Sequence, residues 1–383
     1  MAFRTMFDGS AGRAVALAAV AALAVAVVGS LMRADRRQLS DVPTPGELKE
    51  LRKLYAGTPA TWPRPLLLPG ANFTEMAPLR LLPRPEGKEQ KLVQLGAELF
   101  NDPRLSASGH FACQSCHNRR LGWGDGLPTS FGHGRAEGRR NAPSLFTVGY
   151  KDALFWDGRA ATLEEQALGP LGDGREMANA ELAGVAQRVA GVTTYRARFS
   201  AITGRDDVQL SDVVNALAAF QRTLERQTRF DRFAAGDQKA LSDEEVFGLH
   251  LFRTKAGCAN CHNGPLLSDG KVHNIGLSFF GRKMEDLGRY GVTGNPIDAG
   301  DFRTPTLRHV SVTAPYMHNG IIPNLRGVVG FYEGGGGRVR EERREEGDRA
   351  PLFEAARQNS PQLRPFKLTA PERAALVAFL NTL

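Results

Sequence analysis

The chain has 383 residues, a formal net charge of +8, and 42% hydrophobic and 23% charged residues. This length allows two domains with sizeable cores, and the composition is that of a globular protein, which excludes a disordered or fibrous chain. Although the charge is positive, no dense Lys/Arg tract is interleaved with aromatic residues, so we expect no nucleic-acid partner.

Residues 1–40 are predicted to direct the protein to export. Arg4 and Arg13 precede an apolar run, Ala14–Met32, made almost entirely of Ala, Val and Leu. The small residues Val28-Gly29-Ser30 offer a cleavage site for signal peptidase. The run is long for a signal peptide and close to the minimum for a membrane span, so an inner-membrane anchor with a charged tether is the alternative. In either case the body of the protein is expected in the periplasm, soluble after cleavage or tethered.

Residues 41–85 hold one short helical pattern, Pro45–Tyr55, and then Pro-rich chain. Proline fixes φ and removes a backbone donor, so we expect extended chain that lies over the body of the protein. This N-terminal strap carries no chemistry of its own in the sequence, and Trp62 within it is predicted to be a packing residue.

The first chemical motif lies in Phe111–Asn118, which reads FACQSCHN and contains C-x-x-C-H at Cys113, Cys116 and His117. Two thiols at this spacing can each form a thioether with one vinyl group of a porphyrin, and the adjacent His then becomes an axial ligand of the iron. A redox dithiol and half of a zinc site are the alternatives for a single copy.

A second copy, formed by Cys258, Cys261 and His262, decides between these alternatives. The two copies use all four cysteines, so none remains for a disulfide. A zinc ribbon would bring its cysteine pairs much closer in the sequence than these two motifs lie. We therefore expect two covalently bound c-type haems.

Each haem motif is preceded by a helical pattern that ends in Leu-Phe, at Glu89–Phe100 and at Ser242–Phe252. A closing helix follows each motif, at Ser211–Leu224 with a Ser N-cap and at Thr369–Leu383 with a capping box. No strand pattern of comparable length competes. The sequence predicts a mainly α fold in which two cytochrome-c-like haem domains stand in tandem, with long ordered loops.

The repeat sets the predicted domain boundaries. The segments are 1–40 (signal peptide or anchor with tether), 41–85 (strap), 86–235 (N-terminal haem domain) and 236–383 (C-terminal haem domain), with the junction within Arg226–Ala240. The charged, low-complexity run Glu333–Asp348 is predicted to be a mobile surface loop.

A carboxylate, an amide and an indole follow the first motif closely, at Glu176, Gln166 and Trp156. Gln166 lies with Pro170 on a short predicted helix whose N-cap is Thr162. A carboxylate beside a haem can move a proton between the two oxygens of peroxide and so promote O–O cleavage. The alternative for Glu176 is a solvated surface residue.

In the second half, Met317, His318 and Tyr332 are candidate iron ligands or pocket residues, and the residues alone do not choose among them. Four other histidines have no context that separates a ligand from an ordinary polar residue: His110, His250, His273 and His309.

Taken together, the motifs resemble the bacterial di-haem cytochrome c peroxidases and the related MauG group over roughly residues 86–383. The matching stretches are GHG…RNAPSLF, FWDGRA…LEEQALGP…EM, DLGRYGVTG and TAPYMHNG, in family order. The resemblance implies that the haem on His117 is the peroxidatic one. The haem on His262 would be the electron-accepting one, of higher potential.

The resemblance also implies roles for single residues. Trp156 would bridge the two haems, and Gln166, Pro170 and Glu176 would form the distal pocket of the peroxidatic haem. Glu176 would be its acid and base.

A calcium site between the domains is implied as well. Asn141 would contribute its side chain, and Thr313 and Pro315 their backbone carbonyls, because oxygen ligands suit Ca²⁺.

Two positions point to different subgroups. His133 matches the loop histidine that caps the peroxidatic haem of resting classical peroxidases and leaves on reductive activation. Tyr332 stands where classical members have the Met ligand of the second haem, and Tyr there is the MauG-like feature. A phenolate stabilises ferric and higher oxidation states, whereas a thioether raises the potential. Met284 or Met317 could replace the missing Met, but neither lies in the matching context.

The resulting expectation is an exported di-haem c-type peroxidase that reduces hydrogen peroxide to water. Electrons would come from a small donor such as a cytochrome c or a cupredoxin. One alternative is a MauG-like oxidase that stores two oxidising equivalents across the haems and modifies a partner protein. Another is a di-haem electron carrier without turnover. The sequence leaves open whether the chain forms a homodimer.

Overall fold

The computed structural model of the protein describes residues 42–383. The predicted signal or anchor segment, Ala14–Met32, lies outside these residues. From residue 42 onward, none of the helices combines the length and apolarity that a membrane span requires. By their contacts, Leu48–Leu383 form one compact unit.

The described chain is mainly α-helical, as predicted. Its helices are, in order, α1 (Pro45–Leu54), α2 (Gly87–Phe100), α3 (Leu163–Gly172), α4 (Ala183–Ala190), α5 (Thr193–Thr203), α6 (Leu210–Gln221), α7 (Arg229–Ala234), α8 (Asp243–Arg253), α9 (Tyr290–Thr293), α10 (Leu325–Glu333), α11 (Ala350–Ala356) and α12 (Ala370–Leu380). Two short strands, β1 (Val272–Asn274) and β2 (Asp301–Arg303), form an antiparallel pair.

Two pairs of helices cross at a glycine, one pair in each half. In the first half α2 packs on α6, and a Cβ at Gly96 would lie only 1.9 Å from the carbonyl oxygen of Ala216. In the second half α8 packs on α12, and a Cβ at Gly248 would lie 2.0 Å from the carbonyl oxygen of Ala375. Only glycine allows two backbones to approach so closely. The same crossing of two helices at a glycine occurs in both halves, in agreement with the predicted tandem of two similar helical units.

The caps of the closing helices agree only in part with the sequence. The predicted capping box of α12 is confirmed, because the Thr369 N–H donates to the Glu372 carboxylate at 2.8 Å. The N-cap predicted at Ser211 is wrong, since the N-cap is Gln209, two residues earlier, and α6 begins at Leu210. The Asp212 carboxylate accepts from the Gln209 N–H at 2.8 Å, and this bond selects the earlier start.

The core of the second half of the chain is built around aromatic side chains. Phe379 of α12 lies edge-on to Phe230 and Phe252, with ring centroids 5.9 Å and 5.3 Å apart. Trp62 of the strap packs on the same core, 6.3 Å from Phe230 and 5.9 Å from Phe233. The prediction that Trp62 is a packing residue is therefore confirmed.

The first part of the predicted mobile loop Glu333–Asp348 packs against another segment of the chain. The Gly337 N–H donates to the Ile275 carbonyl at 2.9 Å, and a Cβ at Gly276 would lie 2.1 Å from the Gly337 carbonyl oxygen. The prediction of mobility is therefore wrong for this first part. A run of glycines permits close packing of two backbones as readily as it permits a flexible loop. The division at 235/236 stays a prediction.

Candidate haem centres

Both C-x-x-C-H motifs form the same local structure. A short 3₁₀ turn covers Cys113–Ser115 in the first and Cys258–Asn260 in the second. In each, the N–H of the histidine donates to the carbonyl of the first cysteine at 2.9 Å. The turn brings the two thiols and the imidazole together, and the four cysteines form no disulfides. This is the arrangement that two thioether bonds and one axial ligand require.

The two proximal histidines are held by the same kind of hydrogen bond. Nδ1 of His117 lies 2.9 Å from the Trp123 carbonyl, and Nδ1 of His262 lies 3.1 Å from the Leu267 carbonyl. Both carbonyl residues have positive φ, 63° for Trp123 and 51° for Leu267. With its proton on Nδ1, each imidazole keeps Nε2 free for a metal. Burial lowers the pKa of both histidines, so they are neutral and ready to bind iron.

A cavity of about 1580 Å³ adjoins the first motif. Its volume exceeds the roughly 300–1,000 Å³ of ordinary ligand pockets and suits a large flat cofactor. The wall unites the motif with most of the residues predicted for peroxide chemistry: Cys113, Cys116, His117, Trp156, Gln166, Pro170 and Glu176.

Gln166 and Pro170 face this cavity from helix α3. They are one helical turn apart, so both side chains lie on one face of the helix. The predicted N-cap is confirmed, since the Glu165 N–H donates to the Thr162 hydroxyl at 3.1 Å. The Glu165 carboxylate binds the N–H of Ala161 at 2.8 Å. The cap fixes where the helix begins and thereby the direction of Gln166.

Glu176 lies on a turn that follows helix α3. Its N–H donates to the Asp173 carbonyl at 3.0 Å, and its side chain forms part of the cavity wall. Burial raises the pKa of the Glu176 carboxyl; the charge of Asp173 raises it further, and Arg159 opposes the shift. A raised pKa makes the carboxyl a stronger acceptor of a proton than an ordinary glutamate, as an acid–base group requires.

His133 contacts the Glu176 turn through its backbone. The His133 N–H donates to the Glu176 carbonyl at 3.0 Å. A Cβ at Gly132 would lie 2.2 Å from the Arg175 carbonyl oxygen, so the loop requires glycine there. Nδ1 of His133 is buried and has no hydrogen-bond partner among the described residues. Gly132 lines the cavity, whereas the His133 side chain lies outside its wall.

Two cationic side chains in the cavity wall, the half-buried Lys151 and the buried Arg303, were not found from the sequence. Lys151 and Arg303 both line the cavity, and within residues 42–383 neither forms an ion pair. Burial lowers the pKa of Lys151, and it lowers that of Arg303 to about 10. An unpaired buried cation is costly, so such groups normally face an anion. The two propionates of a haem would supply that anion, but single basic residues carry no sequence signal for it.

Trp156 is fixed between the two halves of the chain. Its indole N–H donates to the Asn141 carbonyl at 2.9 Å, and its own carbonyl accepts from the Arg303 N–H at 2.8 Å. Its ring lies 6.4 Å from that of His318, which stacks on Phe302 at 3.6 Å. The indole thus joins the cavity of the first motif to strand β2 and the His318 loop of the second half.

Tyr332 lies in the last turn of α10, close to the second motif. Burial raises the pKa of its phenol, and the thiols of Cys261 and Cys258 add to the shift. Its hydroxyl has no hydrogen-bond partner in the described part of the chain. Met284 instead lines the cavity of the first motif and is 47% exposed. Of these two candidate ligands for the second iron, Tyr332 is the one near its cysteines.

Beside the second motif, Cys261, Asp269 and His273 offer ligand atoms within 4.8 Å of one another. Nε2 of His273 lies 2.8 Å from the Asp269 carboxylate. A thioether to haem removes the Cys261 thiolate, so this cluster is not a further metal centre.

The predicted calcium residues lie on segments that touch. The Asn141 N–H donates to the His318 carbonyl at 2.7 Å, and its Nδ2 donates to the Leu127 carbonyl at 2.9 Å. This orientation leaves the amide oxygen for another contact. A Cβ at Gly122 would lie 3.0 Å from the Thr313 methyl group, so the first-half loop reaches the segment that carries the predicted carbonyl ligands.

Comparison with known proteins decides the family. Residues 90–239 match the profile of the di-haem cytochrome c peroxidase family. The cytochrome-c peroxidase IdrP1 of Pseudomonas sp. (strain SCT) is 36% identical over 340 residues, which are 80% of this chain and 85% of the relative. The chain belongs to the di-haem cytochrome c peroxidase family.

This peroxidase family also includes MauG proteins. The methylamine utilization protein MauG of Methylorubrum extorquens is 37% identical over 295 residues, 76% of this chain and 77% of the relative. A solved structure of a MauG-like protein associated with microbial copper homeostasis superposes with a TM-score of 0.69. It is 32% identical and covers 82% of this chain and 94% of its own. Membership implies two c-type haems, and both motifs of this di-haem peroxidase homologue have the residues to hold them.

Proposed function

We propose that the protein is an exported peroxidase that reduces hydrogen peroxide to water. The observation that carries the proposal is the joint position of Glu176, Gln166 and His117 in the wall of one cavity. A haem held by Cys113, Cys116 and His117 would supply an iron that binds peroxide and passes two electrons to it. The reaction takes two electrons and two protons for each peroxide and yields two waters.

The residues opposite His117 would manage the protons. Glu176 takes the proton from one peroxide oxygen and returns it to the other, which then leaves as water. Its raised pKa matches both halves of this task. Gln166 donates a hydrogen bond that orients the peroxide, and Pro170 narrows the cavity beside it and excludes water.

Electrons would enter at the second haem, held by Cys258, Cys261 and His262, and pass Trp156 on the way to the first. The donor would be a small redox protein such as a cytochrome c or a cupredoxin, in line with the name of the IdrP1 relative. His133 would cap the first iron at rest and withdraw when the second haem is reduced. We also propose a periplasmic location, from residues 1–40, and a Ca²⁺ held by Asn141, Thr313 and Pro315.

Steady-state peroxide turnover with reduced cytochrome c tests the proposal, measured before and after one-electron reduction of the holoprotein. We expect turnover that requires a donor and increases after reduction. A holoprotein that neither consumes peroxide nor binds cyanide in either state would be a di-haem electron carrier.

A second candidate function rests on Tyr332. Its unpartnered hydroxyl near Cys258 and Cys261 favours a phenolate ligand, which is the MauG-like feature. The protein would then use peroxide to oxidise residues of a partner protein. Peroxide consumption without oxidation of any small redox donor, accompanied by a mass change in a candidate partner, would favour this function.

A further inference from the structure

The two haem motifs differ in how the residue after their histidine is bound. The Asn118 side chain caps its own turn, accepting from the Arg120 N–H at 2.8 Å. The corresponding Asn263 accepts from the Thr74 N–H at 3.1 Å and donates to the Asn72 carbonyl at 3.2 Å. Asn263 also donates to the Ala259 carbonyl of its own motif at 3.0 Å. The first motif is therefore held from within, whereas the second is held both from within and by the strap.

Asn260, inside the second motif, makes the same kind of contact. It accepts from the Leu68 N–H at 2.7 Å and donates to the Leu66 carbonyl at 3.3 Å, as well as to the Gly257 carbonyl beside its own motif at 2.8 Å. Asn260 is 1% exposed and Asn263 is 2% exposed. Buried amides that pair with backbone groups fix both partners, because a broken bond would leave polar groups unsatisfied.

The strap also reaches the turn that orients His262. The Gly264 N–H donates to the Thr74 carbonyl at 2.9 Å, and the Leu267 N–H donates to the Gly264 carbonyl at 3.1 Å. Leu267 in turn offers its carbonyl to Nδ1 of His262. A continuous set of hydrogen bonds thus links strap residue Thr74 to the proximal histidine.

A buried guanidinium holds the same turn from its other side. Arg308 donates to the Pro265 carbonyl at 2.6 Å and to the strap carbonyl of Ala77 at 3.3 Å. It is also paired with Asp231, which accepts from the Leu79 N–H at 2.8 Å. The strap therefore touches this turn directly and through Arg308.

We propose that strap residues 66–79 form a clamp that positions His262 and shields the second haem from water, with Asn260 and Asn263 as its positioning residues. The proposal rests on haem at the second motif and not on peroxide turnover. A ferric haem carries one more positive charge than a ferrous one, so water that enters stabilises the ferric state. Opening the clamp should lower the reduction potential of the second haem alone.

The variant Asn263→Leu, of similar shape, tests the clamp in the holoprotein, with Asn118→Leu as the matched control. We expect the reduction equilibrium constant of the second haem to fall at least tenfold, about 59 mV for one electron, while that of the first is unchanged. Asn118→Leu should leave the second haem unchanged. Spectroelectrochemical titration of both haems measures this, with haem content as the check on folding.

A strap-side variant separates the clamp from a local effect beside His262. Glu75 pairs with the buried Arg253 at 3.1 Å, so Glu75→Gln should loosen the strap without touching the motif. It should shift the same haem in the same direction, and amide exchange of residues 66–79 should accelerate at least tenfold in both variants. An unchanged second haem, an upward shift, an equal shift of both haems, or an effect confined to Asn263→Leu would overturn the clamp.

Discussion

The backbone N–H of His133 donates a 3.0 Å hydrogen bond to the backbone carbonyl of Glu176. His133, proposed to cap the first iron as a gate, and Glu176, proposed to move the proton of peroxide, are therefore coupled through the backbone. Because the His133 side chain lies outside the cavity wall in this structure, its movement onto the first iron must break this bond or carry along the turn that presents the Glu176 carboxyl. A shift of His133 towards or away from the iron would then also change the position of the Glu176 carboxyl.

Glu176→Gln keeps the shape of the side chain but cannot accept a proton. We expect peroxide turnover to fall on the order of 10²-fold or more, the usual size of an acid–base contribution. The exposed Glu181 provides the control, and Glu181→Gln should leave turnover unchanged. Steady-state assays at equal haem content measure the effect. Full activity of Glu176→Gln would make this carboxyl an ordinary wall residue.

The pH dependence of turnover should report the raised pKa of Glu176. If the ionised carboxylate is the base, kcat/KM rises with pH through that pKa, which lies above the ordinary value of about 4.3. Asp173→Asn removes a charge that raises the pKa, so the midpoint should move to lower pH. Arg159→Gln removes a charge that lowers it, so the midpoint should move to higher pH. Coincident profiles in all three proteins would show that Glu176 does not titrate in turnover.

His133→Gly tests the gate. If the histidine caps the first iron at rest, the oxidised wild type should react slowly with peroxide and gain activity when the second haem is reduced. The variant should react at the activated rate without prior reduction, because the cap is absent. Stopped-flow mixing with peroxide in both redox states decides this. A wild type that reacts fast when fully oxidised has no gate.

Cys258→Ala tests covalent attachment at the second motif. We expect denatured wild-type protein to retain two haems and the variant to lose the thioether at one site only. Haem-stained denaturing gels and intact mass measure both, and Cys113→Ala is the matched variant of the first motif. A wild-type mass without any haem increment would remove the basis of every other expectation.

Features encoded by local patterns could be predicted from the sequence. The C-x-x-C-H spacing, the capping box of α12 and the repeat of helix, motif and helix were all visible there. The face shared by Gln166 and Pro170 follows from helical periodicity alone. The crossing of α2 on α6 depends on Gly96 meeting the Ala216 backbone, which a pattern in one segment cannot show.

Other contacts could not be predicted because they join distant segments through backbone groups. Asn263 binds Thr74 across 189 positions of the chain, and any residue except proline could supply the backbone N–H. Lys151 and Arg303 come to line the same cavity only when the chain folds. Local composition misled at Gly337, where a glycine expected to confer mobility packs against Gly276.

Tyr332 decides between the two candidate enzymes. Burial raises its pKa, so the phenol keeps its proton unless a cation binds the oxygen, and ligation to ferric iron would release that proton. The phenolate charge then stabilises the ferric state and lowers the potential of the second haem. Tyr332→Met should raise that potential, with at least a tenfold change in the equilibrium constant, about 59 mV. It should also move the enzyme towards donor-dependent peroxidase behaviour.

Tyr332→Phe is the matched variant, since it retains the ring and removes only the hydroxyl. Both haems should stay attached, while the spectrum of the second should lose the features of phenolate ligation. The reduced wild-type spectrum provides the opposing outcome. Should it show His/Met ligation at the second haem, Tyr332 is a packed aromatic residue and Met317 becomes the candidate ligand, because Met284 lies on the cavity of the first motif. The MauG-like function would then lose its support, and the classical peroxidase alone would remain.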